Sequence, residues 1–386
     1  MRLPVYLDYN ATTPVDPRVL EAMLPWFTEQ FGNAASRTHL YGWTAEEAVA
    51  QARKQVAQLL RANPKEIVFT SGATEANNLA IKGVLEKYRY KGQHLVTVAT
   101  EHKAVLDTCH HLEQSGVEVT YLTPSEDGLI SAQQVAEALR PDTVLVSVMY
   151  ANNEIGTLQP VAEIAEAVHR AGVLFHTDAT QAVGKLPIDV AAEGIDLLSL
   201  SAHKFYGPKG IGALYVRQGT ELTAQMDGGG HERGRRSGTL NVPAIVGLGK
   251  ACALARTEMK AEHERLAQLR DRLEKSILEN VPDTFVNGST TQRLAHLTNI
   301  CFEHVDGENL LLSLKDIAVS TGSACTSASV LPSYVLKILG LTDEQAYASL
   351  RFSLGRFTTE EEIDLAIRHI SEVVTKMRSD VSLGYS

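Results

Sequence analysis

Cysteine is scarce in this 386-residue chain, and long apolar runs are missing from it. No CxxC pair occurs, so neither a zinc ribbon nor a disulfide framework is predicted from the four cysteines, Cys109, Cys252, Cys301 and Cys325. Apolar stretches such as residues 144–149 are far shorter than the roughly 18 residues of a membrane span. A protein of the reducing cytoplasm with no membrane partner is therefore expected.

An excess of positive charge is also lacking. Asp and Glu number 46 against 36 Lys and Arg, which gives a net charge of −10. Backbone binding to nucleic acid depends on basic patches, so direct nucleic-acid binding is not expected. The start of the chain carries Asp8 where a secretion signal needs an apolar core, so export is not expected either.

Predicted strands, loops and helices alternate through the first 255 residues. Short β-rich runs end in polar or small residues and lead into helical patterns; they span residues 66–70, 95–100, 143–149, 173–178, 197–201 and 212–216. Such alternation predicts an α/β fold with a mainly parallel sheet and helices on both faces. Ligands bind such sheets at the carboxyl ends of the strands, so polar residues there are the candidates for chemistry.

After residue 255 the pattern changes to a long charged helix over 259–279, a strand over 297–303 and a final helix over 358–378. Thr358 and Glu361 have the spacing of a capping box. We expect a large domain over 15–255 and a smaller α+β domain built from 1–14 and 256–386. The small domain would carry a mobile loop, 320–330, which is rich in Ser, Thr, Gly and Ala.

Two charged residues follow apolar strands in the large domain. Lys204, near a strand end and before a glycine-containing turn, is a candidate Schiff-base nucleophile, although a surface lysine is the simpler reading. Asp178, 26 residues earlier, is placed to pair with a pyridinium nitrogen and keep the ring protonated. A helix N-cap aspartate is the alternative.

Other strand ends add binding groups. The turn after residue 70 leads into a helix, where the Ala73 N–H and Thr74 could hold a phosphate, as could many ordinary turns. His102 could stack on a cofactor ring and move protons, or be structural. Asn153 is a donor to a ring oxygen or carboxylate, or a turn residue. Arg351 suits a bidentate grip on a carboxylate, or a structural ion pair.

Cys325 lies in the small-residue loop, which offers the access that a reactive thiol needs. Cys252 and Cys301 lie in apolar stretches and are predicted to be core residues, while Cys109 has no evident role. No HExxH or clustered Cys/His spacing occurs, so no resident metal site is predicted.

Together these residues closely resemble the cysteine desulfurases, pyridoxal-phosphate enzymes of the class V aminotransferase family. The resemblance runs from Tyr-Leu-Asp-Tyr-Asn-Ala-Thr-Thr-Pro at 6–14 to Arg-Phe-Ser-Leu-Gly-Arg at 351–356. The loop Thr-Gly-Ser-Ala-Cys-Thr-Ser at 321–327 is similar to that of group I, and the Arg-x-Gly-His-His-Cys sequence of the second group is missing.

The resemblance implies a fold-type I homodimer that binds pyridoxal 5′-phosphate. It implies that Lys204 holds the cofactor, that Asp178 pairs with its ring nitrogen and that His102 stacks on the ring. The remaining implied cofactor contacts are Ala73, Thr74, Asn153, Gln181, Ser201, His203 and Thr239, the last reaching across from the partner subunit. Asn10, Asn153 and Arg351 are the implied substrate contacts.

The implied reaction converts L-cysteine to L-alanine, with the sulfur carried as a persulfide on Cys325 and protons managed by His102. The sulfur would supply iron–sulfur clusters, other thio-cofactors or thiolated tRNA, and Cys325 would be a transient cluster ligand at most. Housekeeping members carry a longer tail that docks the scaffold protein, whereas this chain stops at Ser386. Nitrogenase-type or general sulfur donation is therefore an equal alternative.

Two further alternatives stay open at the level of the sequence. One is a related pyridoxal-phosphate enzyme, such as an aminotransferase or a selenocysteine lyase, in which Cys325 is incidental. The other is a catalytically silent partner that only binds sulfur-transfer proteins.

Overall fold

A computed structural model of the chain describes residues 3–321 and 331–383. These residues form twelve strands and twelve α-helices. In chain order they are β1 (Val5–Tyr6), α1 (Pro17–Met23), α2 (Pro25–Thr28), α3 (Leu40–Leu60), β2 (Ile67–Thr70), α4 (Ala73–Lys87), β3 (His94–Val98), α5 (Lys103–Glu113), β4 (Glu118–Leu122), α6 (Ala132–Ala138), β5 (Thr143–Ser147), α7 (Val161–Arg170), β6 (Leu174–Asp178), β7 (Leu197–Ser201), β8 (Gly212–Val216), α8 (Val242–Asn280), β9 (Thr284–Val286), β10 (Leu297–Phe302), α9 (Gly307–Ser313), β11 (Ile317–Ala318), α10 (Tyr334–Ile338), α11 (Asp343–Tyr347), β12 (Ser349–Ser353) and α12 (Glu360–Leu383).

Seven of the strands form one large sheet in the order β2-β8-β7-β6-β5-β3-β4. The pairs from β7 through β4 are parallel, and β8 is antiparallel to both of its neighbours. Six strands therefore run in one direction and only β8 runs against them. This confirms the predicted α/β fold with a mainly parallel sheet.

Both faces of the large sheet are covered, as its apolar strands require. Successive residues point to opposite faces, so Leu145 packs with α4 and α5 while Val146 packs with α3, α7 and α8. Leu197 and Leu198 on β7 divide in the same way. The continuous apolar runs in the sequence thus reflect burial on two sides.

The other described strands form two smaller sheets. Strands β12, β10 and β9 form an antiparallel sheet, and β1 near the start of the chain pairs in parallel with β11. Their apolar side chains, such as Ile300 and Phe352, form a core with the second half of α8 and with α12. The first residues of the chain are therefore built into the same unit as its last third.

Helix α8 starts much earlier than the predicted helix over 259–279. It begins at Val242, capped by Asn241, whose side chain accepts from the Ala244 N–H at 3.2 Å. Gly247 and Gly249 weaken the helical pattern there. However, a Cβ at Gly249 would lie 2.7 Å from Ala52 Cα, so close packing against α3 requires the glycine. The helix also runs without a break through residue 255, where the domain boundary stays a prediction.

The capping box at the last helix lies one residue later than predicted. Thr359 Oγ1 accepts from the Glu362 N–H at 3.3 Å, and Glu362 accepts from the Thr359 N–H at 3.0 Å. Thr358 instead accepts from the Gly355 N–H at 3.0 Å and closes the preceding turn. Either of the two adjacent threonines could have formed the capping box. Because Thr358 closes the preceding turn, Thr359 is the capping residue.

Among the described residues, no helix combines the length and the apolar character needed to cross a membrane.

Because the two halves of α8 pack into different cores, leucines in each half are predicted to stabilise the fold separately. Leu248 in the first half and Leu273 in the second are fully buried, whereas Leu278 is 38% exposed. Leu248→Ala and Leu273→Ala should each lower the free energy of unfolding by about 2–5 kcal/mol, measured by denaturant titration of the apoprotein. Leu278→Ala is the matched control and should cost less than about 1 kcal/mol; an equal loss for all three would contradict the packing described.

Candidate active site

One cavity opens at the carboxyl ends of the parallel strands, where chemistry is expected for this kind of sheet. Its volume is about 510 Å³. Eleven of the residues predicted to act in binding or catalysis line it: Asn10, Ala73, Thr74, His102, Asn153, Asp178, Gln181, Ser201, His203, Lys204 and Arg351. They come from segments far apart in the sequence, and the shared direction of the strands brings them together.

The turn between β2 and α4 forms one end of this cavity. Gly72 has a φ of +156°, which bends the chain so that α4 starts at Ala73 with its first turn at the cavity wall. The exposed N–H groups and the helix dipole make such a terminus attractive to an anion. Ser201, at the end of β7, lies across from Gly72 and also lines the wall. This end suits a phosphate.

His203 lies beside the same end of the cavity. Its Nδ1 lies 3.0 Å from Thr12 Oγ1. Burial, together with repulsion from Lys204, Lys209 and Lys185, lowers the pKa of His203 to about 4. The imidazole is therefore neutral at physiological pH and is available as a hydrogen-bonding group but not as a cation.

Asp178 ends β6 in the middle of the cavity floor. The side chain is buried, its Oδ2 accepts from Asn77 Nδ2 at 2.7 Å, and its Oδ1 accepts from the Thr180 N–H at 3.0 Å. The carboxylate is thus held in a fixed orientation where a cationic ring nitrogen could pair with it.

Lys204 reaches the cavity from a short 3₁₀ turn after β7. Its Nζ donates to the carbonyl oxygens of Asn10 at 2.7 Å and Ala11 at 2.8 Å. The segment that leads from β1 into α1 therefore supplies the acceptors that orient this amine.

His102 caps the N-terminus of α5. Its Nδ1 accepts from the Ala104 N–H at 3.1 Å, which leaves the proton of the neutral ring on Nε2. The preceding Glu101 is fully buried, and its carboxylate accepts from the Met149 N–H at 2.5 Å. This bond ties the His102 segment to the end of β5, and burial raises the pKa of Glu101 well above its usual value.

Arg351, on β12, brings the second unit of the fold to the cavity. Its Nη2 donates to Asp8 at 2.7 Å and its Nη1 to the Asn153 carbonyl at 2.9 Å. The guanidinium is almost fully buried, and its Nε has no hydrogen-bond partner within the described part of the chain. From the sequence, Arg351 could form a structural ion pair or bind a substrate carboxylate. The structure contains an ion pair with Asp8 and leaves Nε as a donor for a carboxylate.

Asn10 contacts several of these segments. Its Nδ2 donates to the Asn153 carbonyl at 3.1 Å, its Oδ1 lies 2.7 Å from His296 Nε2, and its backbone oxygen accepts from Gln181 Nε2 at 3.0 Å. Burial lowers the pKa of His296 well below its usual value, so that ring is neutral. Asn10 thereby connects the segment after β1 with the residues after β5 and β6.

Two predicted residues are not brought to this cavity by the described structure. Thr239 is exposed and does not line it. Cys325 lies outside the described residues. The described chain on either side of that gap is anchored at the cavity: Ser320 bridges to Arg351, Ser333 donates to Glu154 at 2.5 Å, and the Tyr334 hydroxyl donates to the Glu101 carbonyl at 2.5 Å.

Sequence reasoning missed several residues of this site, chiefly Asn77, Thr180 and Asp8. Asn77 follows Ala73 and Thr74 by about one helical turn, so a polar residue on the buried face of α4 was a signal. Asp8 lies in the motif at 6–14, but its pairing with Arg351 joins residues 343 apart. Only the tertiary structure decides such a pair.

Metal ligands do not cluster in the described residues, since no group of three or more His, Cys, Asp or Glu side chains there could hold an ion.

Comparisons with known proteins agree with this geometry. The family model for class-V aminotransferases matches residues 5–365. Cysteine desulfurase IscS of Anaeromyxobacter dehalogenans is 58% identical over 380 residues, which cover 98% of this chain and 94% of that protein. The corresponding protein of Methylococcus capsulatus has the same identity and coverage.

Solved structures give the same picture. A NifS-like protein aligns with a TM-score of 0.91 at 36% identity over 97% of this chain and all of that chain. A structure described as SspA in complex with cysteine aligns with a TM-score of 0.83 at 44% identity, covering 92% of this chain and all of that one. The chain therefore belongs to the class-V aminotransferase family, within its cysteine desulfurases.

The cofactor of this family is pyridoxal 5′-phosphate, and the cavity fits it. Among residues 3–321 and 331–383, four buried polar atoms of cavity-lining side chains have no hydrogen-bond partner: Asn77 Oδ1, Asn153 Oδ1, Thr180 Oγ1 and Arg351 Nε. Buried polar groups are normally satisfied, so these atoms indicate a polar ligand between them. The helix terminus, the carboxylate and the lysine provide matching sites for a phosphate, a pyridinium and an aldehyde.

A polar row runs through the sheet beside the floor of this site. His176 lies on β6 with Nδ1 2.8 Å from Ser147 Oγ and Nε2 3.0 Å from Ser199 Oγ. The ring is completely buried, and burial lowers its pKa to about 4 despite the attraction of Asp178. The row holds β5, β6 and β7 in register through neutral hydrogen bonds.

The depressed pKa of His176 predicts a loss of stability in mild acid. The unfolded chain binds this proton near pH 6.5 and the folded chain only near pH 4, so the free energy of unfolding should fall as pH drops through that window. One proton corresponds to a slope of about 1.4 kcal/mol per pH unit. Denaturant titrations of the apoprotein from pH 7 to 4 should show a shallower slope for His176→Gln. His111→Gln, at an exposed histidine, is the control and should leave the slope unchanged.

Proposed function

We propose that the chain converts L-cysteine to L-alanine and takes the sulfur onto Cys325 as a persulfide. The observation that carries this is the meeting of Lys204, Asp178, the start of α4 and Arg351 around one cavity, in a chain 58% identical to cysteine desulfurases. The cavity supplies groups for a cofactor and a separate cation for an amino-acid carboxylate. Neither the aminotransferase nor the silent-partner alternative is favoured by a specific feature.

The bound cofactor supplies an electron sink for the bond that breaks at the substrate α-carbon. Lys204 would hold it and, once released, accept the α-proton on Nζ. Asp178, fixed by Asn77 and Thr180, would keep the ring nitrogen protonated. Ala73, Thr74, Ser201 and His203 would hold the phosphate, with Gln181 and Asn153 at the ring oxygen.

The substrate carboxylate would bind Arg351. Asp8 occupies Nη2 of the guanidinium, so an incoming carboxylate would take the available Nε and displace or share the Asp8 contact. The Asn10 and Asn153 amides lie beside it on the same wall. A guanidinium buried among carbonyl and carboxylate oxygens gives strong orientation to one further anion.

Sulfur transfer would follow at Cys325. The thiolate of Cys325 would attack the substrate sulfur, and the carbon–sulfur bond would break with its electron pair left on the β-carbon. The β-carbon then takes up a proton and Lys204 returns the α-proton to the α-carbon, so that the product leaves as alanine while the sulfur stays on Cys325 as a persulfide. His102, with its proton on Nε2, would serve the thiol and the cofactor. Anchoring of residues 320 and 333–334 at Arg351, Glu154 and Glu101 supports a position for this thiol near the cavity.

Assembly and location are further parts of the proposal. Between residues 27 and 43, five large apolar side chains are each more than half exposed: Phe27, Phe31, Leu40, Tyr41 and Trp43. Exposed apolar side chains in this number suit the interface of a homodimer, in which the exposed Thr239 would reach the cavity of the partner. We place the enzyme in the cytoplasm, with an iron–sulfur scaffold or another sulfur carrier as acceptor. We also retain the division into a domain of residues 15–255 and one of 1–14 with 256–386.

Cys325→Ser tests the persulfide directly. It should lower alanine formation from L-cysteine by at least about a thousandfold, because no thiolate is left to accept sulfur, while cofactor absorbance is kept. Mass spectrometry after incubation with L-cysteine should find one added sulfur on Cys325 of the wild type.

The matched control is Cys109→Ser, at a buried thiol away from the cavity, which should retain activity. Lys204→Ala should abolish turnover even though Cys325 is intact. Undiminished alanine formation by Cys325→Ser would exclude the persulfide route.

Arg351→Lys tests the carboxylate clamp. Because a lysine cannot make the paired contacts, KM for L-cysteine should rise about tenfold to a hundredfold, with a smaller effect on kcat, in steady-state assays of alanine. Inhibition by cysteamine, which lacks the carboxylate, provides the control and should change little. If the variant weakened both ligands equally, Arg351 would not be the carboxylate site.

A further inference from the structure

A second lysine, Lys185, lies close to the active site but outside the large cavity. It lines a smaller cavity of about 30 Å³, which shares Lys204 with the large cavity. The other residues of this small cavity include Tyr9, Tyr206, Glu262 and His296. Lys185 is half-buried there, and it belongs to none of the cofactor or substrate contacts considered above.

The contact that gives Lys185 a role is with Gln181. Its Nζ donates to Gln181 Oε1 at 2.8 Å, while Gln181 Nε2 donates to the Asn10 carbonyl at 3.0 Å. Gln181 is buried and lines the large cavity, so its amide connects Lys185 to the wall of that cavity. The chain of contacts runs from Lys185 through Gln181 and Asn10 to Lys204.

The chemistry of the two groups fixes the direction of the amide. An ammonium group has three donors and no acceptor, so the oxygen of Gln181 must face Lys185. The NH₂ group must then face the Asn10 carbonyl and the cofactor cavity. A reversed amide would set its NH₂ against the donors of Lys185 and its oxygen against the Asn10 oxygen.

The approach of Lys185 depends on the turn that follows Gln181. Gly184 has a φ of +79°, and a Cβ there would lie 2.7 Å from Phe205 Cβ, in the segment just after Lys204. The turn is thus packed against the Lys204 segment, which holds Lys185 at a fixed distance from Gln181.

Burial and repulsion from Lys204 lower the pKa of Lys185 to about 7. The neutral amine still has two donor hydrogens for Gln181 Oε1. Accepting from Gln181 instead would break the bond to Asn10. The same amide direction is therefore favoured in both protonation states.

We propose that Lys185 is a positioning residue that holds the Gln181 amide with its NH₂ group toward the cofactor ring oxygen. This inference rests on the proposed function, in which Gln181 contacts that oxygen. Lys185 acts only through Gln181, so its effect must disappear when Gln181 is removed.

A double-mutant cycle on cofactor binding tests this. Apoprotein of the wild type, Lys185→Met, Gln181→Ala and the double variant would be titrated with pyridoxal 5′-phosphate to give Kd values. Lys185→Met should raise Kd about tenfold in the wild-type background, equal to about 1.4 kcal/mol, and by less than about twofold in the Gln181→Ala background. Lys185→Arg keeps a donor and should recover most of the affinity.

Lys65→Met, at an exposed lysine near the opposite end of β2, is the matched control and should bind as the wild type does. Thermal unfolding of each apoprotein identifies any variant whose fold is damaged, and the arginine variant then carries the test. An unchanged Kd for Lys185→Met, or an equal loss in both backgrounds, would overturn the role of Lys185 alone. Failure of the wild type to bind the cofactor would overturn the proposed function with it.

Discussion

The shared direction of five strands is the constraint on which the site depends. Strands β2, β3, β5, β6 and β7 all end at the same edge of the large sheet, and each leads directly into a group that lines the cavity. A helix terminus follows β2, a histidine follows β3, an asparagine follows β5, an aspartate ends β6 and a lysine follows β7. Reversing any one of these strands would carry its group to the opposite edge of the sheet.

The segment between β1 and α1 completes what the sheet begins. Its carbonyl oxygens at Asn10 and Ala11 orient Lys204, its Asp8 carboxylate balances Arg351, and the Asn10 side chain bonds to the loop after β5. An unbalanced guanidinium at that depth would cost several kcal/mol, so the ion pair stabilises the junction as well as the site. The unit formed by the first residues and the last third of the chain therefore contributes to the active site through contacts between segments far apart in the sequence.

Neutral groups surround the charged ones. His176, His203 and His296 all have pKa values lowered by burial, so each contributes hydrogen bonds without adding positive charge. Among the described residues, the acidic and basic side chains that line the cavity are Glu75, Asp178, Lys204, Lys209 and Arg351, and the neutral His203 adds no charge to them. The net charge around the cofactor site is therefore set by a few residues.

Local patterns in the sequence predicted most of the fold. The strands at 197–201 and 212–216 were predicted at their observed bounds, because apolar runs buried on two faces leave a strong signal. The first half of α8 was missed, since Gly247 and Gly249 weaken the helical pattern there. Gly249 allows close contact with Ala52 of α3, almost two hundred positions away in the sequence. The capping box at α12 was misplaced by one residue because two neighbouring threonines fit the same rule.

For the site, the sequence by itself determined which chemical groups are present and that strand ends would carry them. Only the tertiary structure decided their partners: Asn77 on Asp178, Asp8 on Arg351, Asn10 on Lys204, and Lys185 behind Gln181. Strand and helix periods are set by neighbours a few residues apart and can be read locally. Hydrogen bonds and ion pairs between distant segments form only where the packed sheet and helices place two side chains a few ångströms apart.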